Sequence, residues 1–273
     1  MPESRDADSE ILAVSDEAEP PPPRGGAWFH YAWVIAALSF FVLLLAAGVR
    51  STPGVLMLPM EREMGWTAAT ISLAVAINIA LFGLMGPFAA ALMQSIGVRK
   101  TILLGLGIIV ASTAATSRIT SPGQLMLTWG VGVGAGVGMI GIVLAATVAT
   151  RWFDARRGTV MGILTAANAT GQLVFLPVLA VIAERLGWRE VGLFLAGVAL
   201  LAALPIALFM RDRPESIGLR PYGAPPGAAA GDPPLLRGGN PLRTAFGALA
   251  RASHKRDFWF LFGTFFICGA STN

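Results

Sequence analysis

Six long apolar stretches follow one another between Tyr31 and Met210, separated by short charged connections. This feature limits the fold more than any other. A bilayer core takes about 20 mostly apolar residues per helix, and each stretch meets or approaches that length. The expected spans are 31–59, 67–95, 101–116, 124–150, 159–183 and 191–210, and another apolar run starts near Phe258. Hydrophobic residues make up 55% of the chain and charged residues only 13%. Soluble domains carry about a quarter charged residues. The fold class expected is therefore an all-α membrane protein, a six-helix bundle plus the start of a seventh helix. The single cysteine, Cys268, excludes an internal disulfide framework and a cysteine-based metal site.

Four regions follow from composition. Residues 1–29 hold acidic residues, a Pro20–Pro23 run and no apolar signal-peptide core, so they read as a disordered cytoplasmic tail. Residues 30–210 form the bundle. Residues 211–256 are rich in Pro, Gly and Arg and read as a flexible cytoplasmic linker that ends in a short basic amphipathic helix. Residues 257–273 begin helix 7.

Basic residues set the orientation. Arg99 and Lys100 lie in connection 2–3, and Arg151, Arg156 and Arg157 in connection 4–5. Eight more Lys or Arg residues follow helix 6, from Arg211 to Arg256. The alternate connections carry few. The positive-inside bias puts the N-terminus and the even-numbered connections in the cytoplasm, and the lipid bilayer is the first partner.

A shift of 90 residues superimposes helices 2–3 on helices 5–6 without a gap. Asn78 then meets Asn168, Pro87 meets Pro177, Gly97 meets Gly187 and Arg99 meets Arg189. A repeat of three spans must invert its second copy. Inverted three-helix repeats are the organisation of secondary transporters that work by alternating access. Helix 4 carries "GVGVGAGVGMIG". This string contains G-x-G-x-x-G, but it lies inside an apolar span and follows no strand, so it is a weak dinucleotide fingerprint. Small residues at three- and four-residue spacing instead point to close helix packing.

Three segments carry a family resemblance: "GVRSTPGVLMLPMEREMGWTAATISLA", "RWFDARRGTVMGILTAANATGQLVFLP" and "RDRPESIGL". They resemble major facilitator transporters of the monocarboxylate and oxalate/formate branch. The motif Arg151-Trp152-Phe153, then Arg156-Arg157-Gly158, is the most specific part. The resemblance implies twelve helices in two bundles, with a small organic anion bound between them. This chain matches the N-terminal half, so the missing C-terminal six-helix half becomes an expected partner. Related carriers place a basic residue before a serine in helix 1, which is the position of Arg50-Ser51. Their connection 2–3 gates transport, which assigns that role here to Gly97, Arg99 and Lys100. The pattern departs at Gln94 and Ser95, where the family has Asp and Arg.

Arg50 is the only charged side chain well inside a span. A central charge costs roughly 2.5–3.5 kcal/mol on insertion scales, so function is its default reading. Ala46, Ala47 and Gly54 are expected on its face, with Pro53 kinking the helix. A guanidinium binds a carboxylate bidentately. The alternative is that helix 1 ends near Gly48 and Arg50 snorkels outward. Asn78, Asn168, Gln172 and Thr165 are the uncharged candidates, for substrate contact or for interhelical hydrogen bonds. No Asp or Glu lies well inside the six spans. No metal site, cofactor or nucleic-acid partner is expected. A rhomboid-type intramembrane enzyme would need G-x-S-G and an embedded His, which the chain lacks. The function expected is secondary transport of a small organic anion, or an inactive fragment that depends on a partner half.

Overall fold

The computed structural model describes residues 30–225, 246–247, 250–256 and 258–264. Six helices in the described part are long and apolar enough to cross a membrane. They are α1 (Tyr31–Met64), α2 (Ala68–Ser95), α3 (Val98–Thr116), α4 (Pro122–Trp152), α5 (Arg157–Arg185) and α6 (Trp188–Phe209). The expected spans lie within or close to these bounds. Most helices run a few residues past the apolar stretch because polar residues at the ends still form the last turn. The tail 1–29 and most of 226–273 lie outside the described residues. Residues 258–264, within the expected helix 7, are helical.

The 90-residue repeat is visible in the backbone. α2 and α5 end 90 residues apart, and so begin α3 and α6. At the first junction, the Ile96 N–H donates to the Leu92 carbonyl; at the second, the Leu186 N–H donates to the Ile182 carbonyl, each at 2.9 Å. The next residue is Gly97 (φ 96°, ψ 160°) or Gly187 (φ 100°, ψ 159°). Only glycine adopts this region without strain. The shared glycine thus marks one turn used twice.

Helix pairing follows the same symmetry. Extensive contacts join α1 to α5, α2 to α4 and α3 to α6, and α3 also packs on α4. Exchange of α1 with α4, α2 with α5 and α3 with α6 maps the first pair onto the second and the third onto itself. That is the pairing of two inverted three-helix repeats. Glycines set the close approaches. A Cβ at Gly134 would fall 2.9 Å from the Asn78 backbone, and one at Gly138 would fall 2.6 Å from Met85 Cβ. On the next face of α4, Gly136 meets Gly105 of α3. The glycine-rich string of α4 therefore serves two neighbours, as expected from its spacing. Lipid gives helices no hydrophobic reason to associate, so van der Waals packing of this kind holds them together.

α4 is not uniform. Residues Met126–Val133 form a π-helix, and the helix is interrupted at Gly141 (φ −57°, ψ −149°). π-segments often accompany functional sites. α1 is interrupted once, at Thr52, ahead of Pro53.

The basic end of the bundle is tied together. The Tyr31 hydroxyl donates to the Phe209 carbonyl. Residues 211–225, expected to begin a flexible linker, pack there instead. Pro214–Ile217 is a 3-10 turn. Tyr222 exchanges backbone hydrogen bonds with Trp152 and Asp154, at 2.8 and 2.9 Å. At the opposite end, Glu63 of α1 accepts from Trp188 Nε1 at 2.7 Å and pairs with Arg189.

Candidate functional site

Arg50 sits in the last turn before the α1 interruption. Ser51 Oγ donates to the Gly48 carbonyl at 2.8 Å and Thr52 Oγ1 to the same oxygen at 3.3 Å. Both hydroxyls bond the one Gly48 carbonyl, whose usual donor, the Thr52 N–H, turns to the Val49 carbonyl at 3.4 Å. The helix continues beyond Arg50 to Met64, so α1 does not end at Gly48.

The side chain enters a cavity of about 250 Å³ between α1, α2, α4 and α5. Ala46 and Ala47 form its α1 wall; Phe82 comes from α2, Val137 and Gly141 from α4, and Leu164, Thr165 and Asn168 from α5. The lining is mostly apolar. Among the described residues Arg50 is its only charge, and no Asp or Glu lines it. The Arg50 guanidinium lies over the Phe82 ring, 4.2 Å from the centroid. Among the described residues no acceptor on the protein engages that guanidinium. Its N–H donors remain available to a ligand.

Two of the four uncharged candidates join Arg50. Thr165 and Asn168 lie one turn apart on α5, both exposed to the cavity. The Thr165 hydroxyl donates back to Met161 at 2.9 Å or to Gly162 at 3.0 Å. Its proton is thus committed to the helix, and its oxygen is left as an acceptor. Asn168 has both donor and acceptor capacity. The other two candidates stand elsewhere. Asn78 is buried and donates from Nδ2 to the Trp129 carbonyl at 2.8 Å, tying α2 to the π-segment of α4. It is an interhelical bond. Gln172 is exposed and outside the cavity lining. The helical spacing that joined it to Asn168 does not carry through, because α5 meets α1 at Gly171. Gly54 also leaves the Arg50 face and borders a separate groove with Val55 and Leu58.

In connection 2–3, the Arg99 N–H donates to Asp212 Oδ1 at 2.8 Å, and the Arg99 side chain reaches the Ala207 carbonyl. A Cβ at Gly97 would collide with the Asp212 carboxylate. Lys100 is exposed in the first turn of α3. Asp212 was not singled out from sequence. It belongs to the "RDRPESIGL" segment just after α6 and caps the N-terminus of α3. At a helix N-terminus a carboxylate is favourable for both hydrogen bonding and the helix dipole.

Connection 4–5 is a built turn. Trp152 and Phe153 are fully buried. Arg156 closes the turn in the left-handed region (φ 62°). Arg157 donates from Nε to the Phe153 carbonyl at 2.6 Å and from a terminal nitrogen to Asp154 at 2.7 Å. Arg151 lies half-buried in the last turn of α4, and Gly158 is exposed. The Phe153 ring meets Trp33 edge-on at 5.2 Å and Tyr222 at 5.9 Å. The motif holds the bundle end together. Among the described residues no group of His, Cys, Asp and Glu could hold a metal ion.

A family model described as the Major Facilitator Superfamily matches residues 39–273. Human monocarboxylate transporter 14 is 30% identical over 212 residues, which cover 74% of this chain and 38% of that protein. Mouse monocarboxylate transporter 11 is 30% identical over 262 residues, which cover 91% of this chain and 50% of that protein. The MFS-type transporter YcxA of Bacillus subtilis is 27% identical over 187 residues, 67% of this chain and 45% of its own length. The chain spans no more than half the length of these relatives. With six membrane-length helices paired as two inverted repeats, and a family match across most of its length, the chain belongs to the major facilitator superfamily of membrane transporters.

Proposed function

We propose that the chain is the N-terminal half of a secondary transporter for small organic anions of the monocarboxylate type. It works by alternating access, and its basic end faces the cytoplasm across a cell inner membrane. The observation that carries this reading is Arg50, a guanidinium with no protein acceptor among the described residues, in an apolar cavity formed by both repeats. A permanent charge is costly at that depth, and a bound carboxylate would offset the cost with two parallel hydrogen bonds. Asn168 is positioned in the same cavity to contact the ligand. The names of the relatives support the same substrate class. Gly97, Arg99 and Lys100 form the gating connection in this reading, with Asp212 holding its backbone. Exchange of anions suits the cavity better than proton coupling within this half, because no carboxylate lines it.

A second reading is that this half is inactive unless a second six-helix bundle covers it. It is favoured by α2 and α5, the least buried of the six helices, whose exposed side chains include Leu73, Leu84, Leu173 and Val174. Proteoliposomes carrying the chain alone, or with a C-terminal half supplied, separate the two. Uptake of labelled acetate, lactate, pyruvate and oxalate is measured in each. Uptake only with both halves supports the dependent reading, and uptake by the 273-residue chain alone removes it. No uptake of any anion in either preparation contradicts the transport reading.

A further inference from the structure

We infer that Phe82 is a positioning residue for the anion site, and that Gly141 of α4 makes room for it. The inference rests on the reading of Arg50 as the carboxylate ligand and goes beyond it to the group that aims the guanidinium. Arg50 stands over the Phe82 ring at 4.2 Å from the centroid. An aromatic face attracts a guanidinium through its quadrupole, most strongly where water is scarce. A carboxylate neighbour would also hold the side chain, but it would occupy the N–H donors and cancel the charge. The ring attracts the guanidinium without accepting from its N–H groups in place of a carboxylate, so those donors stay open to a ligand.

The ring is itself held. One turn before it on α2, Asn78 is bonded to the Trp129 carbonyl, which fixes α2 against the π-segment of α4. Gly134 brings the two backbones together at that level. One turn further, a Cβ at Gly138 would sit 3.1 Å from the Phe82 carbonyl. At the interruption of α4, a Cβ at Gly141 would sit 3.1 Å from Phe82 Cε2 and 3.4 Å from Cζ. The absent side chain at Gly141 is therefore what seats the ring edge. Gly141 meets Phe82 and Phe82 meets Arg50, while Asn78 fixes α2 one turn before the ring.

The test uses the 273-residue chain assembled with its C-terminal half in lipid nanodiscs, with arginine labelled for NMR, and lactate as the probe. In wild type the Arg50 Nε–H proton is shifted upfield by the ring current. Phe82→Leu keeps a half-buried apolar side chain but removes the ring, so that proton moves downfield, and lactate affinity falls about 2- to 30-fold. Phe82→Tyr keeps both the shift and the affinity. Gly141→Ala moves the ring and weakens lactate binding in a wild-type Phe82 background but not in Phe82→Leu. A merely structural role for Phe82 would not reproduce the shift or its rescue by Tyr. Equal Arg50 proton shifts in wild type and Phe82→Leu overturn the inference whatever lactate does. Unchanged lactate affinity in Phe82→Leu, beside lost affinity in Arg50→Ala, overturns the role of Phe82 alone. Lactate affinity that survives Arg50→Ala, or a wild-type Arg50 signal that ignores lactate, overturns the anion site itself and this inference with it.

Discussion

The α1–α5 crossing offers a perturbation whose sign can be worked out in advance. A Cβ at Gly171 would fall 2.8 Å from Ala47 Cβ and nearer still to the Leu44 carbonyl oxygen. Ordinary contacts begin near 3.4 Å, and both obstacles belong to α1 close to its backbone, so neither can swing away. Gly171→Ala must push the two helices apart by several tenths of an ångström or more. Overpacking of this kind costs about 1–3 kcal/mol, roughly a 5- to 150-fold change in the unfolding equilibrium. Gly162→Ala is the control on the same helix. Nothing lies within 4 Å of its Cβ position, so only helix propensity acts there, and that favours Ala by roughly 0.5–1 kcal/mol. The two substitutions have the same chemistry and opposite expected signs. Unfolding in mixed micelles, followed by tryptophan fluorescence, gives both values. The argument fails if Gly171→Ala proves as stable as Gly162→Ala. Because Ala47 also lines the cavity, the same variant is expected to bind anion more weakly.

Two further predictions concern the basic end and the repeat. Gly97→Ala and Gly187→Ala each place a side chain in a glycine-only backbone region and are expected to cost about 1–3 kcal/mol. Gly97→Ala costs more because its Cβ also displaces the Asp212 carboxylate; an Asp212→Ala background removes that excess in a double-mutant cycle, and equal costs at the two glycines would refute it. Tyr222→Ala loses ring contacts with Trp33 and Phe153, worth about 1–3 kcal/mol together. Limited proteolysis is expected to cut near residues 211–225 much faster in that variant, and an unchanged rate would show that the strap is held by its backbone bonds alone.

Much of this fold could be read from sequence because lipid leaves few choices. Every backbone group in the bilayer must be satisfied within its own helix, so length and apolarity define spans such as Ala68–Ser95 almost to the residue. The repeat could be read because Gly97 and Gly187 answer to one backbone conformation, which tolerates little substitution. Arg50 stood out through the cost of its charge. The side-chain positions were harder. Asn168 and Gln172 share a face on an ideal helix, but which part of the face meets the cavity depends on where α5 crosses α1, and Gly171 sets that crossing. Gly54 was assigned to the face of Arg50 from ideal helical spacing, and it borders the groove with Val55 and Leu58 instead. Asp212 and Tyr222 act at long range, 113 residues from Arg99 in the first case, and no local spacing reveals such a partner. Phe82 lies one turn from Asn78 and had that signal available. An aromatic residue in an apolar span does not stand out, however, until a cation is found on its face.

Uptake of a labelled monocarboxylate by wild type and Arg50→Ala, at matched levels of membrane-inserted protein, tests the central claim most directly. The transporter is assembled with its C-terminal half in proteoliposomes, and lactate uptake is followed with Arg50→Lys alongside. The account predicts that Arg50→Ala inserts normally but loses uptake, and that Arg50→Lys recovers only part of it, because an ammonium cannot make the bidentate pair. Wild-type uptake by Arg50→Ala would contradict the account and leave the cavity without its anion-binding group.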